Sequence, residues 1–564
     1  MKLSDAIARF ILSKGIDTVF GFQGGAITHM IDSFDKYKIQ YIQNYNEQGS
    51  SFAADAFSRI CASGMGCAIG TNGPGATNLI TGIANAYCDS IPVLFFTGQV
   101  HSFAMKGNAS TRQESFQEID IVSVVSPITK YAKTILNKDE ALFEIEKAIN
   151  IATSGRPGPV VIDIPVDIQG SEVEYIEPKT NSNISDSIDK KVILEALNDI
   201  YSSERPIIIS GGGIRISKST DLLREFVKKT GIPVTVSLMG IDSMPHDDEN
   251  FIGFIGSYGN RYSNLAIQNA DLILALGTRL DMRQTGKRKD LFGPKAKVIH
   301  IDVDDGEIRH FIKSESGIQA DLNDFLKELT VCLDSEKLKK TEIDKWKKQI
   351  AIWKSENSDL EEIEYKGLHP NKVVNYFGNI ISNNSIACAD VGQNQMWVAQ
   401  SLRIKGDNVR ILNSGGLGAM GFSLPAAIGA YYASKESQIV AFMGDGGLQM
   451  NIQELQLVGS KQLPITVVVF NNHSLGLIRD VHEKYYEKRY VGSVWGFSLP
   501  DLEYICKAYN IEYCKVNNYN DLYNIKSFAS SPKLVEVVFD EDTYVKPELL
   551  GNDSLDRQIP YKEA

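Results

Sequence analysis

No apolar run in the chain approaches the ~20 residues needed to cross a bilayer. The opening stretch, MKLSDAIARFILSKGIDTVFGF, reads as an amphipathic helix followed by a strand. It lacks the long apolar core and small-residue cleavage site of a secretory signal. Cysteine is sparse: seven residues, at 61, 67, 88, 332, 388, 506 and 514, none in C-x-x-C spacing. An odd, scattered set excludes a disulfide frame or a cysteine zinc site and fits small buried side chains in a reducing compartment. Positive charge is in deficit, with 58 Lys and Arg against 70 Asp and Glu, a net charge of −12. Most of such a surface repels a phosphate backbone, which argues against sequence-independent nucleic-acid binding. The expectation is a cytoplasmic protein with neither nucleic-acid nor membrane partners. Disorder is excluded by 43% apolar and 23% charged residues, and 564 residues exceed what a single core supports.

Short apolar runs alternate with helical patterns almost throughout: DTVFGF, GCAIGT, PVLFFTG, GPVVIDIP, RPIIISGGG, PVTVSL, ADLILALG, AKVIHIDVD, QIVAFMGDG, PITVVVFNN and PKLVEVVF. This is the α/β signature of parallel strands covered by helices. The polar stretch 170–190 and the densely charged stretch 334–366 read as connections, the second partly helical and solvated. Three doubly wound, parallel-sheet α/β domains follow, over 1–170, 188–333 and 366–550.

In open parallel sheets ligands bind beyond the carboxyl ends of the strands, so informative residues fall just after the apolar runs. One such run ends in Gly444-Asp445-Gly446-Gly447 and opens a helix. Glycines there let backbone N–H groups approach a phosphate, and a helix terminus favours an anion. A carboxylate in an anion site is repulsive unless a cation lies between them, and a hard divalent ion with oxygen ligands removes the conflict. The next apolar run ends in Asn471-Asn472, one helix and one strand further on, where an amide oxygen can serve as a second ligand. Each motif alone is an ordinary turn or cap; their pairing one crossover apart is not.

GDGGLQMN…FNN resembles the diphosphate- and metal-binding motif of thiamin-diphosphate (ThDP) enzymes, and nearly the whole chain resembles the large catalytic subunit of acetolactate synthases. The resemblance implies Mg²⁺ held by Asp445, Asn472 and the Ser474 carbonyl, with Gly444, Gly446, Gly447, Asn471 and Gly476 against the cofactor. Glu47, in NYNEQGSSFAADAF, matches the family glutamate that sets the aminopyrimidine tautomer, with Asn46 where histidine is common; alone it would read as a solvated glutamate at a helix start. GTNGPGATNL (70–79) and ESFQEIDIVSVVSPITKY (114–131) are similar to the family's pyrimidine-domain segments and place Phe116 and Gln117 near the reacting carbon. NSGGLGAMGFSLPAAIGA (413–430) puts the Gly418 carbonyl on the aminopyrimidine and wedges Met420 between the cofactor rings. SGRPGPVVIDIP (154–165) is close to the family's domain-ending strand, and the segments after RPIIISGGGI (205–214), at 236–245, 256–286, 298–308 and 319–322, resemble the family's FAD-binding middle domain, which implies flavin contacts from Arg156, Gly212, Gly213, Arg279, Arg283, Asp302 and Asp321. A homodimer or homotetramer with active sites at the subunit interface is also implied.

The implied activity is decarboxylation of pyruvate and transfer of the hydroxyethyl group to an acceptor ketone. The acceptor pocket is where the sequence departs from the family. Leu477, Val481 and His482 occupy it, with valine at the usual tryptophan position; Pro165-Val166-Asp167 replaces a family Pro-Lys-Asp. A small residue there fits either drift within an acetolactate synthase or a bulkier acceptor, such as a nucleotide-activated keto-sugar that meets His482 and Arg479. A simple 2-oxo acid decarboxylase or oxidase and an inactive regulatory paralogue are the other readings.

Overall fold

The computed structural model describes residues 1–107, 110–178, 188–308, 310, 316–406, 408–528 and 530–562. The first sheet contains β1 (Thr18–Gly21), β2 (Gln40–Gln43), β3 (Gly66–Gly70), β4 (Val93–Gln99), β5 (Tyr131–Thr134) and β6 (Val160–Pro165), ordered 2-1-3-4-6-5. The second contains β7 (Pro206–Ser210), β8 (Val234–Val236), β9 (Phe251–Phe254), β10 (Leu272–Leu276), β11 (Lys297–Asp302) and β12 (Ser316–Gln319), ordered 12-11-10-7-8-9. The third contains β13 (Asn384–Ala389), β14 (Asn408–Asn413), β15 (Gln438–Gly444), β16 (Ile465–Asn471), β17 (Glu512–Val516) and β18 (Lys533–Val538), ordered 14-13-15-16-18-17. Every pairing within these sheets is parallel. The central runs, such as VLFF in β4 and VVV in β16, are buried because helices cover both faces.

Counted from their own first strands, the outer two sheets share one order. The middle sheet has the doubly wound dinucleotide-binding order, with its reversal between β7 and β10. The outer domains meet through two helices rich in small residues, Glu47–Ile60 and Ser423–Ala433. A Cβ on Gly429 would lie 2.0 Å from the Ala53 carbonyl oxygen, so only glycine permits this approach. Replacing Gly429 with Val should cost about 1–3 kcal/mol through overpacking, read as a lower midpoint in denaturant unfolding.

The second connection differs from its expectation. Lys340–Glu356 is a continuous helix, and Ile343, Trp346 and Ile350 are buried on one face. Trp346 and Ile350 pack against the middle-domain core, because apolar residues at helical spacing outweigh the charged majority. Part of the first connection, 179–187, lies outside the described residues. The C-terminal segment returns to the middle domain as a small antiparallel pair, Glu548–Leu549 with Gln558–Ile559; Leu549 N–H donates to the Ser257 carbonyl at 2.7 Å. No described helix is long and apolar enough to cross a membrane, and all seven cysteines are free thiols.

Candidate active site and nucleotide cleft

Three groups of residues gather at strand ends. In the third sheet Gly444 pairs with Phe470, so Asp445 and Asn471-Asn472 leave adjacent strands at the same edge. Asp445 is buried; its Oδ1 accepts the Gly446 N–H at 2.8 Å, and the His473 and Ser474 N–H groups also point to the carboxylate. Among the described residues Asp445 Oδ2 has no hydrogen-bond partner, and burial pushes the carboxyl up to about 7. Asn472 donates its amide N–H to Gln393 Oε1 at 2.9 Å, which leaves its amide oxygen for another partner. A free carboxylate oxygen at one strand end and an amide oxygen at the next are donors of the kind a hard divalent cation takes. Among the described residues no group of three His, Cys, Asp or Glu side chains is arranged to hold a metal ion.

Close packing fixes this edge. A Cβ on Gly446 would fall 2.4 Å from Leu475 Cδ2 and 3.3 Å from Met420 Cε, which puts the Met420 side chain beside the turn. A Cβ on Gly447 would fall 2.7 Å from Asp390 Oδ1, and one on Gly476 only 2.0 Å from Gln393 Oε1. Gly476 therefore admits the Gln393–Asn472 pair. Gly418 has φ +71°, a conformation that favours glycine. Asn471 turns the opposite way from Asn472, as strand alternation requires. Its side chain donates to Glu536 at 2.6 Å and accepts the His473 N–H at 3.0 Å, so it is engaged in shaping the turn.

The second group surrounds Glu47, the buried first residue of its helix. Asn46 caps that helix by accepting the Gln48 N–H at 2.8 Å, and Asn78 donates to Glu47 Oε2 at 2.9 Å. Glu47 Oε1 lies 3.1 Å from where a Gly75 Cβ would stand, so the GPGATN turn packs directly on the carboxyl. Gln117, at φ +64°, packs on Gly73 in the same turn, while Phe116 is 85% exposed.

The third group lines a cleft at the reversal point of the middle sheet, with about 1,380 Å³ of empty space including its open mouth. Arg156, Gly212, Gly213, Arg279, Arg283, Asp302 and Asp321 all face this cleft. Asp89, Ser90, Gly415 and Gly416 carry it onto the outer domains. Arg156 pairs with Asp304 at 3.1 Å and Glu307 at 2.6 Å. Asp321 caps the helix Leu322–Cys332.

The acceptor segment forms the helix Gly476–Tyr485. Its exposed stripe is Ile478, Val481 and Tyr485, with Val481 40% exposed. His482 Nδ1 lies 2.9 Å from Ser493 Oγ. Arg479 is buried, not on a solvated face: it donates to the Glu541 carbonyl at 2.6 Å and Asp542 at 2.8 Å, and lies over the Tyr490 ring. That arginine is committed to the C-terminal segment and is withdrawn from the acceptor side.

Asp390, Gln393 and Glu454 are buried contributors that the sequence reading passed over. Asp390 follows β13 and accepts the Gly421 and Ser423 N–H groups, each at 2.9 Å, holding the Met420 loop. Its polar ADVGQN sequel to an apolar run was the signal available.

The chain belongs to the thiamine pyrophosphate enzymes. Family models for their N-terminal TPP-binding, central and C-terminal TPP-binding domains match residues 1–124, 193–329 and 390–537. Within that family it is an acetolactate-synthase-like enzyme: it is 36% identical over 552 residues to the acetolactate synthase large subunit of Lactococcus lactis subsp. lactis, covering 96% of this chain and 93% of that one. Similar relatives are the probable acetolactate synthase large subunit of Methanocaldococcus jannaschii, 35% identical over 96% of this chain and 92% of the relative, and that of Haemophilus influenzae, 33% identical over 99% and 98%.

Proposed function

We propose that the chain is a Mg²⁺- and ThDP-dependent carboligase that removes carbon dioxide from pyruvate and joins the remaining two-carbon unit to an acceptor ketone. The observation that carries this reading is the unpartnered, buried Asp445 Oδ2 at the end of the strand adjacent to the one that delivers Asn472. Asp445, Asn472 and the Ser474 carbonyl would hold Mg²⁺, and the Gly446 and Gly447 turn would let backbone approach the diphosphate. ThDP supplies the electron sink for decarboxylation. Glu47 would hold a proton toward the aminopyrimidine, the Gly418 carbonyl would accept from its amine and Met420 would lie against the cofactor. Gln117 and Phe116 border the reacting carbon and limit water there. The exposed Phe116 supports a homodimer or larger assembly whose partner surface completes the site.

FAD would occupy the middle-domain cleft, where Asp302 and Asp321 would accept sugar hydroxyls and the glycines would allow close backbone approach. It has no redox step in this chemistry. Asp302→Ala should cost about 1.5–3 kcal/mol of flavin affinity, a loss of tenfold or more, read from flavin absorbance retained after gel filtration.

The exposed, small Val481 supports a second, narrower reading in which the acceptor is bulky, such as a nucleotide-activated keto-sugar. Arg479 is unavailable to its phosphates, so His482 is the remaining polar contact on this helix among the two named for that role. Val481→Trp should then lower acceptor capture about 10- to 200-fold while leaving carbon dioxide release from pyruvate intact. Acetolactate formed at an undiminished or higher rate by the variant would favour 2-oxo acid acceptors.

A further inference from the structure

Glu454 belongs to the third domain, nine residues beyond Asp445, yet all its side-chain partners lie in the first domain. It is fully buried, at 0% exposure. Its carboxylate accepts Asn44 Nδ2–H at 2.8 Å and the Tyr45 N–H at 3.0 Å, and the Asn46 N–H is a third donor. These donors are the three residues immediately before Glu47. On the other side, a Cβ on Gly49 would lie 2.5 Å from Glu454 Oε1 and 2.9 Å from its Cδ, so the carboxylate fits against the first helical turn only because residue 49 is glycine. Asn451, on the same third-domain segment, donates to Gln48 at 3.3 Å.

We propose that Glu454 is a positioning residue for Glu47, acting through the Asn44–Asn46 turn. This rests on the reading of Glu47 as the acid on the cofactor. A buried carboxylate that gathers three N–H groups from consecutive residues fixes where the helix begins, and hence where its first side chain stands. Asn78 holds the Glu47 carboxyl itself from the other side. Misplacing a reacting group by about 1 Å costs roughly 10²-fold in rate, so the hold need move only slightly to be felt. The same contact links two sites: the strand-end turn that grips a metal in one domain continues directly into the residue that locates Glu47 in another.

The test compares Glu454→Asp, Glu454→Gln and Gly49→Ala in the full-length protein, with Glu146→Gln as a remote control. Glu146 is another buried carboxylate, paired with Lys14 away from Glu47. Aspartate keeps the charge but is one methylene too short to reach the Tyr45 and Asn46 N–H groups. Glutamine keeps the length, and the Asn44 amide can turn over to offer its Oδ1, unpartnered among the described residues, to the new N–H₂. Glu454→Asp and Gly49→Ala should lower kcat about 10- to 100-fold, with KM for pyruvate within about threefold. They should also speed hydrogen exchange at the Tyr45–Gln48 amides in the cofactor-free protein. Glu454→Gln should restore most of kcat, and Glu146→Gln should leave kcat and that exchange unchanged. Unchanged exchange and turnover in both Glu454→Asp and Gly49→Ala would overturn the proposal while a dead Glu47→Gln left the Glu47 reading standing. Should Glu454→Asp fail to fold, Gly49→Ala alone decides. An active Glu47→Gln would refute the Glu47 reading, and faster amide exchange in Glu454→Asp would then show a hold on the turn without a catalytic consequence.

Discussion

Glu47→Gln should lower turnover by roughly 10²- to 10⁴-fold, the span that a positioned acid or base contributes, while the protein stays folded. Glutamine is isosteric, and its carbonyl oxygen can still accept the Asn78 amide N–H that now binds Glu47 Oε2. The GPGATN turn, which packs on this side chain, meets a group of the same shape. The substitution therefore keeps both that hydrogen bond and that packing. Glutamine cannot deliver a proton to a ring nitrogen as a carboxylic acid does, so the rate loss should far exceed the stability loss. Paired kcat and thermal-midpoint measurements separate the two. A variant within tenfold of the native rate would remove Glu47 from the chemistry.

Asp445→Asn should be nearly as damaging and, without metal, stabilising. Removing one partner of a buried charge pair costs about 3–5 kcal/mol, which is roughly 10²- to 10⁴-fold in turnover or metal-dependent ThDP binding. The metal-free protein behaves oppositely. Burial lifts the folded-state carboxyl to about 7, against about 3.9 in an unfolded chain. The folded form then binds the additional proton between those values, so this group's contribution falls as pH rises from about 4 to about 7. Asparagine has no charge to desolvate. At pH 7.5 and without metal the variant should melt higher than the native protein, and Mg²⁺ with ThDP should raise the native midpoint but not the variant's. A native protein whose midpoint ignores Mg²⁺ and ThDP would contradict the assignment.

The strands were legible because parallel sheets buried on both faces need short, continuous apolar runs, and their ends mark the binding edge. Asp445 and Asn472 followed from that rule, and the geometry sets them on neighbouring strands. The order of strands was not legible, since reversal between β7 and β10 is a tertiary property. Nor were side-chain partners: Asn471 and Asn472 are adjacent in sequence, yet the first donates to Glu536 and the second to Gln393. Arg479 read as a contact for a bulky acceptor because Glu541 and Asp542, which draw it inward, lie some sixty residues further on. Trp346 showed that a densely charged stretch can dock when its few apolar residues share one helical face. Glu454 was missed for the same reason as Arg479. Its partners belong to another domain, and no local pattern distinguishes it from any helical glutamate.

The central claim is that this strand-end site, with its metal and ThDP, makes a carbon–carbon bond from pyruvate. Incubating the protein with ThDP, FAD and [2-¹³C]pyruvate, with and without Mg²⁺ and with a panel of acceptor ketones, and following the label by NMR tests it directly. The account predicts carbon dioxide release and the label in the ketone carbon of a new α-hydroxy ketone, both lost when Mg²⁺ is chelated. Unconsumed pyruvate, or label recovered only as acetaldehyde or acetate whatever the acceptor, would contradict it.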